Sequence, residues 1–237
     1  MYSSNHNLAV LFDQEPTDHF DINHSFQNKW EKLNATFESI PYKKAQVLFN
    51  EGNLARGVYY IRYGKVKIYK QGSDGKEQII KIAGKGDFLG YKSVLTDSTY
   101  TVSAATIEES LISFIPKSEF NTLFKEDHDV AEEFMRLLCQ DLVMAEEKMV
   151  SLAYKPVRGR LAETLLDLEK NFRDESKSAK SVISLSREEL ANIVGTAKET
   201  VIRLLSEFKS EHLIRIEGKN IMVIDPKGLI RINNLYN

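Results

Sequence analysis

Only one of the 237 residues is cysteine, Cys139. A single thiol excludes an internal disulfide and a four-cysteine iron–sulfur cluster held within one chain, and it suits a reducing cytoplasm. No apolar run approaches the roughly 18 residues of a membrane-spanning helix, so no membrane partner is expected. The first residues lack the basic start and long apolar stretch of a secretory signal, so none is expected either. Histidine is scarce: His6, His19, His24, His128 and His212. None lies between Ala45 and Phe124, where the chain is β-rich, so the clustered histidines of a cupin-type metalloenzyme are missing and no metal site is expected. Gly-x-Ser-x-Gly, a Walker loop and a metal-ligand pair at i, i+4 are all absent. With no catalytic constellation, the chain is expected not to be an enzyme.

Charge of either sign is also nearly absent in the sum, at −2, but it is not evenly spread. From Lys155 onward there are 15 Lys+Arg against 12 Asp+Glu, a net of +3. Residues 1–154 hold 17 against 22, a net of −5. That asymmetry suits a chain in which only the C-terminal part meets phosphate.

What is present, at 42% apolar content, is enough for two domains. Residues 1–25 are polar apart from Leu8 to Phe12 and are expected to be a poorly ordered tail. Phe26 to Phe37 reads as a short helix with Trp30, Leu33 and Phe37 toward the core. From Ala45 to about Phe124, short β-rich runs alternate with glycine turns, among them GVYYIRYGKVKIYK, QGSDGK and AGKGDFLG. Several short strands at close spacing indicate an antiparallel sandwich or barrel. Asp127 to Ala153 contains neither Gly nor Pro and reads as one long helix. Its apolar band (Val130, Phe134, Leu137, Leu138, Leu142, Met144, Ala145, Met149, Leu152) is wide enough to cover both a barrel and a second copy of itself. Cys139 is expected to pack there as a small apolar residue. A hinge is expected at Tyr154 to Val157, with Pro156 in the first turn of a helix reaching Phe172. RDESKSAK (173–180) is a polar loop.

The stretch Ser186 to Ser206 carries the functional signal. Ser186 with Glu189 and Thr196 with Glu199 each match a capping box. Gly195 between them can take positive φ. Leu190, Ile193 and Val194 face one way in the first helix, and Val201, Leu204, Leu205 and Phe208 follow the helical period in the second. This is a helix-turn-helix, whose second helix, expected over Ala197–Leu213, suits the DNA major groove. Lys198, Glu199, Ile202, Arg203 and Ser206 lie off the apolar stripe. Arg203 and Glu199 are the expected base readers, through guanine O6/N7 and cytosine N4. An isolated helix with these residues would read as a solvated face held by a Glu199–Arg203 pair. Arg187 is expected on phosphate, and Lys198 on either base or phosphate. LIRIEGKNIMVID adds two strands turning at Gly218-Lys219, with Lys219 either a phosphate contact or a solvated turn lysine.

GTAKETVIRLL followed by HLIRIEGKNIMVID resembles the signature of the Crp–Fnr family of bacterial transcription regulators. The family's Arg–Glu–Thr–Val-x-Arg run appears here as Lys198-Glu199-Thr200-Val201-Ile202-Arg203, with Lys in place of the first Arg; lysine lacks the planar fork. YYIRYGKVKIYK…DGKEQIIKIAGKGDFLG resembles the family's cyclic-nucleotide-binding jelly-roll. The resemblance implies an α+β chain: a tail (1–25), a sensor jelly-roll (26–126), a dimerisation helix and hinge (127–154), and a winged helix-turn-helix (155–237). It implies double-stranded DNA and a second copy of the chain as partners, with RNA polymerase as a third. Ser186, Arg187, Thr196, Lys198, Glu199, Thr200, Arg203 and Lys219 form the candidate DNA-binding set. In cyclic-AMP-binding members the turn after the GDF-[IL]-G run supplies a Glu for the ribose, an Arg–Ser pair takes the phosphate, and a Thr–Ser pair on the long helix holds adenine. The matching positions here are Gly90-Tyr91-Lys92-Ser93, Tyr100-Thr101 and Ala145-Glu146, so all three sets are replaced. A buried phosphate without a cation is costly, so cyclic AMP is not expected to bind and no cofactor is expected. Another effector, or a fixed dimerisation scaffold, both remain open. The alternative reading is a small-molecule-binding or enzymatic jelly-roll whose C-terminal helices make protein contacts only.

Overall fold

The computed structural model describes residues 30, 37–73, 75–172 and 181–235. The tail lies outside them, as do Leu33 and the 173–180 loop. The N-terminal strands are β1 (Ser39–Tyr42), β2 (Val47–Phe49), β3 (Gly57–Tyr63), β4 (Val66–Gln71), β5 (Glu77–Ala83), β6 (Phe88–Leu89), β7 (Ser103–Thr106) and β8 (Ser110–Pro116). They form two antiparallel four-stranded sheets, β1-β8-β3-β6 and β2-β7-β4-β5, with the jelly-roll core between them. Along β3 and β8, Val58, Ile61, Ile112 and Ile115 are buried to 1% exposure or less. Gly64 joins β3 to β4 at φ 89°, where a Cβ would lie 2.2 Å from Ser110 Oγ, so no side chain fits that corner. Trp30 is buried and sits edge-on to Phe88 at 4.6 Å.

Two helices stand where only strands and turns were expected. α1 (Tyr91–Leu95) is a single turn after β6, and α2 (Lys117–Glu126) takes over at Pro116, so the β-rich texture ends before Phe124. α2 has helical spacing after all, with Phe120 fully buried. α3 (His128–Tyr154) is the long helix, capped by Asp127 Oδ1, which accepts from the Asp129 and Val130 N–H groups at 3.1 and 3.3 Å. Its first half buries Val130 and Phe134 on the barrel. In its second half the expected band is exposed: Leu142 61%, Met144 43%, Met149 65% and Leu152 40%. Cys139, in the first half, is exposed as well, so the expected packing as a small apolar residue does not occur within one chain.

Pro156 stands at the N-cap of α4 (Val157–Asn171), one residue ahead of the expected first turn. α4 buries Leu161, Leu165 and Leu168 in a second core with α5 (Arg187–Val194), α6 (Lys198–Ser210), the antiparallel pair β9 (Ile214–Glu217) and β10 (Asn220–Val223), and α7 (Pro226–Asn234). α7 was not foreseen, although Asp225 capping the Gly228 N–H at 3.0 Å with Pro226 behind it is a helix start in sequence terms. Ile79, Ile82 and Ile107 of the jelly-roll join this second core. No described helix is long and apolar enough to cross a membrane.

Candidate functional site

The first capping box forms. Ser186 Oγ accepts from the Glu189 N–H at 3.1 Å, and Glu189 Oε2 accepts from the Ser186 N–H at 2.7 Å. Ser186→Ala is expected to cost about 1 kcal/mol in chemical denaturation, with Ser186→Asp close to wild type. Gly195 then ends α5 at φ 72°, and a Cβ there would stand 3.1 Å from Leu152 Cδ2 on the long helix. The N–H groups of Gly195 and Thr196 both donate to Ala191 O, at 2.9 and 3.1 Å.

The second box does not form. The N-cap of α6 is Ala197, with no side-chain cap. Thr196 is still part of the turn, with its N–H on Ala191 O, so the helix begins one residue later than the Thr196–Glu199 spacing requires. The first-turn amides of α6 therefore keep their hydrogen-bonding capacity for an approaching anion. At its other end α6 stops at Ser210, short of the expected Leu213. His212 turns left-handed at φ 59°, which drops Leu213 into the core (7% exposed) and starts β9.

α6 is sharply two-faced. Val201, Leu204, Leu205 and Phe208 are at most 4% exposed. Lys198, Glu199, Ile202, Arg203 and Ser206 are all exposed, while Thr196 and Thr200 are half-buried at the rim. Ile202 is the apolar member of the open face, a partner suited to a thymine methyl. Arg203 does not pair with Glu199. It pairs one turn on, with Glu207 Oε1, whose other oxygen is held by Arg158 Nη1 of α4 at 2.9 Å. Arg158 also holds both Glu211 oxygens at 2.7 Å and lies 4.8 Å over the Phe208 ring. Lys198 Nζ is 4.0 Å from Glu188 Oε2, a loose contact that leaves it available.

Arg187 is placed differently from the expectation of a bare phosphate contact. Its Nη1 and Nη2 donate to Lys219 O and Gly218 O, both at 3.3 Å, so it fastens the β9–β10 wing to the start of α5. Lys219 itself is exposed at the wing tip. Two residues that motif reading passed over hold the unit to the long helix. Arg160 donates to Lys155 O, Val194 O and Gly195 O at 2.8, 3.0 and 3.2 Å. Lys155, 7% exposed, bridges Glu163 at 2.9 Å and Asn233 at 2.7 Å. Only the fold brings these together.

In the barrel, the candidate effector positions separate into two groups. Gly90 (φ 80°) would place a Cβ 2.7 Å from Tyr100 Cε1, so the Tyr100 ring lies directly against that turn. Tyr100 stacks on Phe49 at 4.0 Å, and its hydroxyl donates to Gly57 O at 2.8 Å. Tyr91 is buried, packs on Phe134 at 5.3 Å and donates its hydroxyl to Asp141 Oδ2 at 2.7 Å. Lys92 Nζ reaches the same oxygen at 2.8 Å. Burial pushes the Asp141 carboxyl up, but Lys92, Lys81 and the Tyr91 hydroxyl outweigh it and hold the carboxyl below its ordinary range. Burial, then the Asp141 charge, raises the Tyr91 phenol, which stays protonated as a donor. Ser93, within α1, is buried, whereas Thr101, Ala145 and Glu146 are exposed. Asp141, one helical turn before Ala145, was not singled out; an acid inside an apolar band was its signal. Among the described residues no group of three or more His, Cys, Asp or Glu is placed to hold a metal.

Two family profiles match this chain: a cyclic nucleotide-binding domain over residues 39–127 and a Crp-like helix-turn-helix domain over 159–232. A CRP-like cAMP-activated global transcriptional regulator of Mycobacterium tuberculosis is 30% identical over 200 residues, 84% of this chain and 89% of that protein. The transcriptional activator protein Anr of Pseudomonas protegens is 30% identical over 187 residues, 78% of this chain and 76% of that one. The structure of FixK2 from Bradyrhizobium japonicum shares the fold, with a TM-score of 0.75 at 24% identity, covering 84% of this chain and 98% of that one. With both halves of the chain matched, and the helix-turn-helix in place between α5 and α6, the protein belongs to the Crp–Fnr family of DNA-binding transcription regulators.

Proposed function

We propose that this regulator binds duplex DNA as a two-fold homodimer, lays one α6 per subunit in the major groove of an inverted repeat, and does so with no part played by cyclic AMP. The carrying observation is the division of α6: a fully buried apolar face, and an open face of Lys198, Glu199, Ile202 and Arg203 beginning at an uncapped helix end. Arg203 and Glu199 read bases, Lys198 and Lys219 lie toward phosphate, and Arg187 positions the wing. The dimer reading rests on α3, where exposed Met135, Leu142 and Met149 recur every seven residues as an apolar seam. The cyclic AMP reading rests on Tyr100, whose ring packs against Gly90 where the phosphate-binding pair would stand. DNA and RNA polymerase as working partners place the protein in the cytoplasm.

Selection from a random duplex library tests this. The expected result is an inverted repeat with half-sites about 34–36 Å apart, one helical turn. Arg203→Ala should cost about 1–3 kcal/mol on the selected duplex and relax its sequence preference. No enriched repeat, with Arg203→Ala indistinguishable from wild type, would favour helices that serve protein contacts only.

A further inference from the structure

Of the three positions where the family resemblance implies ligand contacts, one is the turn after β6 and another is on the long helix. Here those two elements are bonded to each other. Tyr91 and Lys92, at consecutive positions in that turn, both end on one oxygen of Asp141 on α3. The Tyr91 bond is the stronger member, a short hydroxyl-to-carboxylate contact from a ring only 5% exposed. Lys92 is 54% exposed along its side chain, so its pairing is screened by water.

The position of Asp141 along α3 gives the contact its leverage. Before it, Val130, Phe134, Leu137 and Leu138 pack on the barrel. After it, residues 142–147 are all exposed. Asp141 thus fastens α3 to the jelly-roll just before this exposed run. Beyond it the helix runs to Lys155, Arg160 and the turn at Gly195, and together with the direct packing of Ile79 and Ile82 into the second core it sets where α6 is carried. We infer that Tyr91, Lys92 and Asp141 form a built-in strut that holds α3 to the turn as a bound effector would, so that operator binding needs no small molecule. This rests on the DNA-binding reading given above.

The test uses the full chain, dialysed, and the duplex that wild type selects, with binding followed by fluorescence anisotropy. Wild type should bind at full affinity without additions, and millimolar cyclic AMP should change nothing. Asp141→Ala and Tyr91→Phe should each weaken binding about five- to hundredfold, the usual range of coupling between distant sites. The double variant should be no weaker than the weaker single, because both remove one contact. The direction is informative. Deleting a carboxylate makes the protein less negative, which by charge alone favours DNA; the strut predicts the opposite. Tyr91→Phe keeps the ring on Phe134 and serves if Asp141→Ala does not fold. Both variants binding as tightly as wild type, or a wild type that binds its selected duplex only with added cyclic AMP, overturns the strut. A wild type that selects no repeat at all overturns the DNA reading instead.

Discussion

Replacing Phe134 by alanine should destabilise the jelly-roll by about 3–5 kcal/mol, the range for emptying a buried aromatic site. The ring is fully buried and is the hub of an aromatic cluster. Its centroid lies 4.9 Å from Phe120, 5.0 Å from Phe88 and 5.3 Å from Tyr91. These come from α2, β6 and α1, so no single element can move in to fill the space. Urea denaturation followed by near-ultraviolet circular dichroism measures the loss. The midpoint should fall with the slope unchanged, since the surface exposed on unfolding is the same. Phe134→Leu should recover most of it. A loss under about 1 kcal/mol would mean that the cluster repacks, against the close packing of protein interiors.

Placing charge on the second half of α3 should have the largest functional effect. Leu142→Glu with Met149→Glu sets four carboxylates along a seam that the homodimer would bury. Both side chains are more than 60% exposed in the single chain, so folding itself should change by no more than about 0.5 kcal/mol. Dimerisation should fail at micromolar concentration by sedimentation. Affinity for the inverted repeat should then fall about 10²–10⁴-fold, because the second half-site no longer binds as an intramolecular event. A variant that remains dimeric and binds normally would place the dimer contact elsewhere.

The chain showed its local chemistry plainly. Ser186, Glu189 and Gly195 act within a few residues of one another, so their roles could be read directly. The Thr196–Glu199 box was equally well spaced and did not form, because the turn after Gly195 needed Thr196 first. Spacing specifies a cap only when nothing else competes for the backbone. The five residues of α1 are too few to show a helical period, so this helix was invisible. The least legible features were contacts between distant residues. Tyr91 meets Asp141 across 50 positions, and Arg158 meets Glu207 across 49. Each partner taken alone looks like an ordinary polar residue. The resemblance to a known family marked Tyr91 as a substitution, but only the packing of α3 on the barrel shows what the substitution joins.

The shared carboxylate of Glu207 bears on how quickly an operator could be found. Arg203 rests on Glu207 in the free protein, yet Arg158 keeps its own bond to the other oxygen. If Arg203 swung out to a guanine as proposed, Glu207 would keep its bond to Arg158, so its carboxylate would not be left without a partner. On unrelated sequence the guanidinium can stay folded back while backbone-type contacts carry the complex along the duplex. On the proposed reading, interrogating each site would then require only a side-chain rotation on the nanosecond scale rather than any rearrangement of the subunits, which would favour rapid sliding between reads.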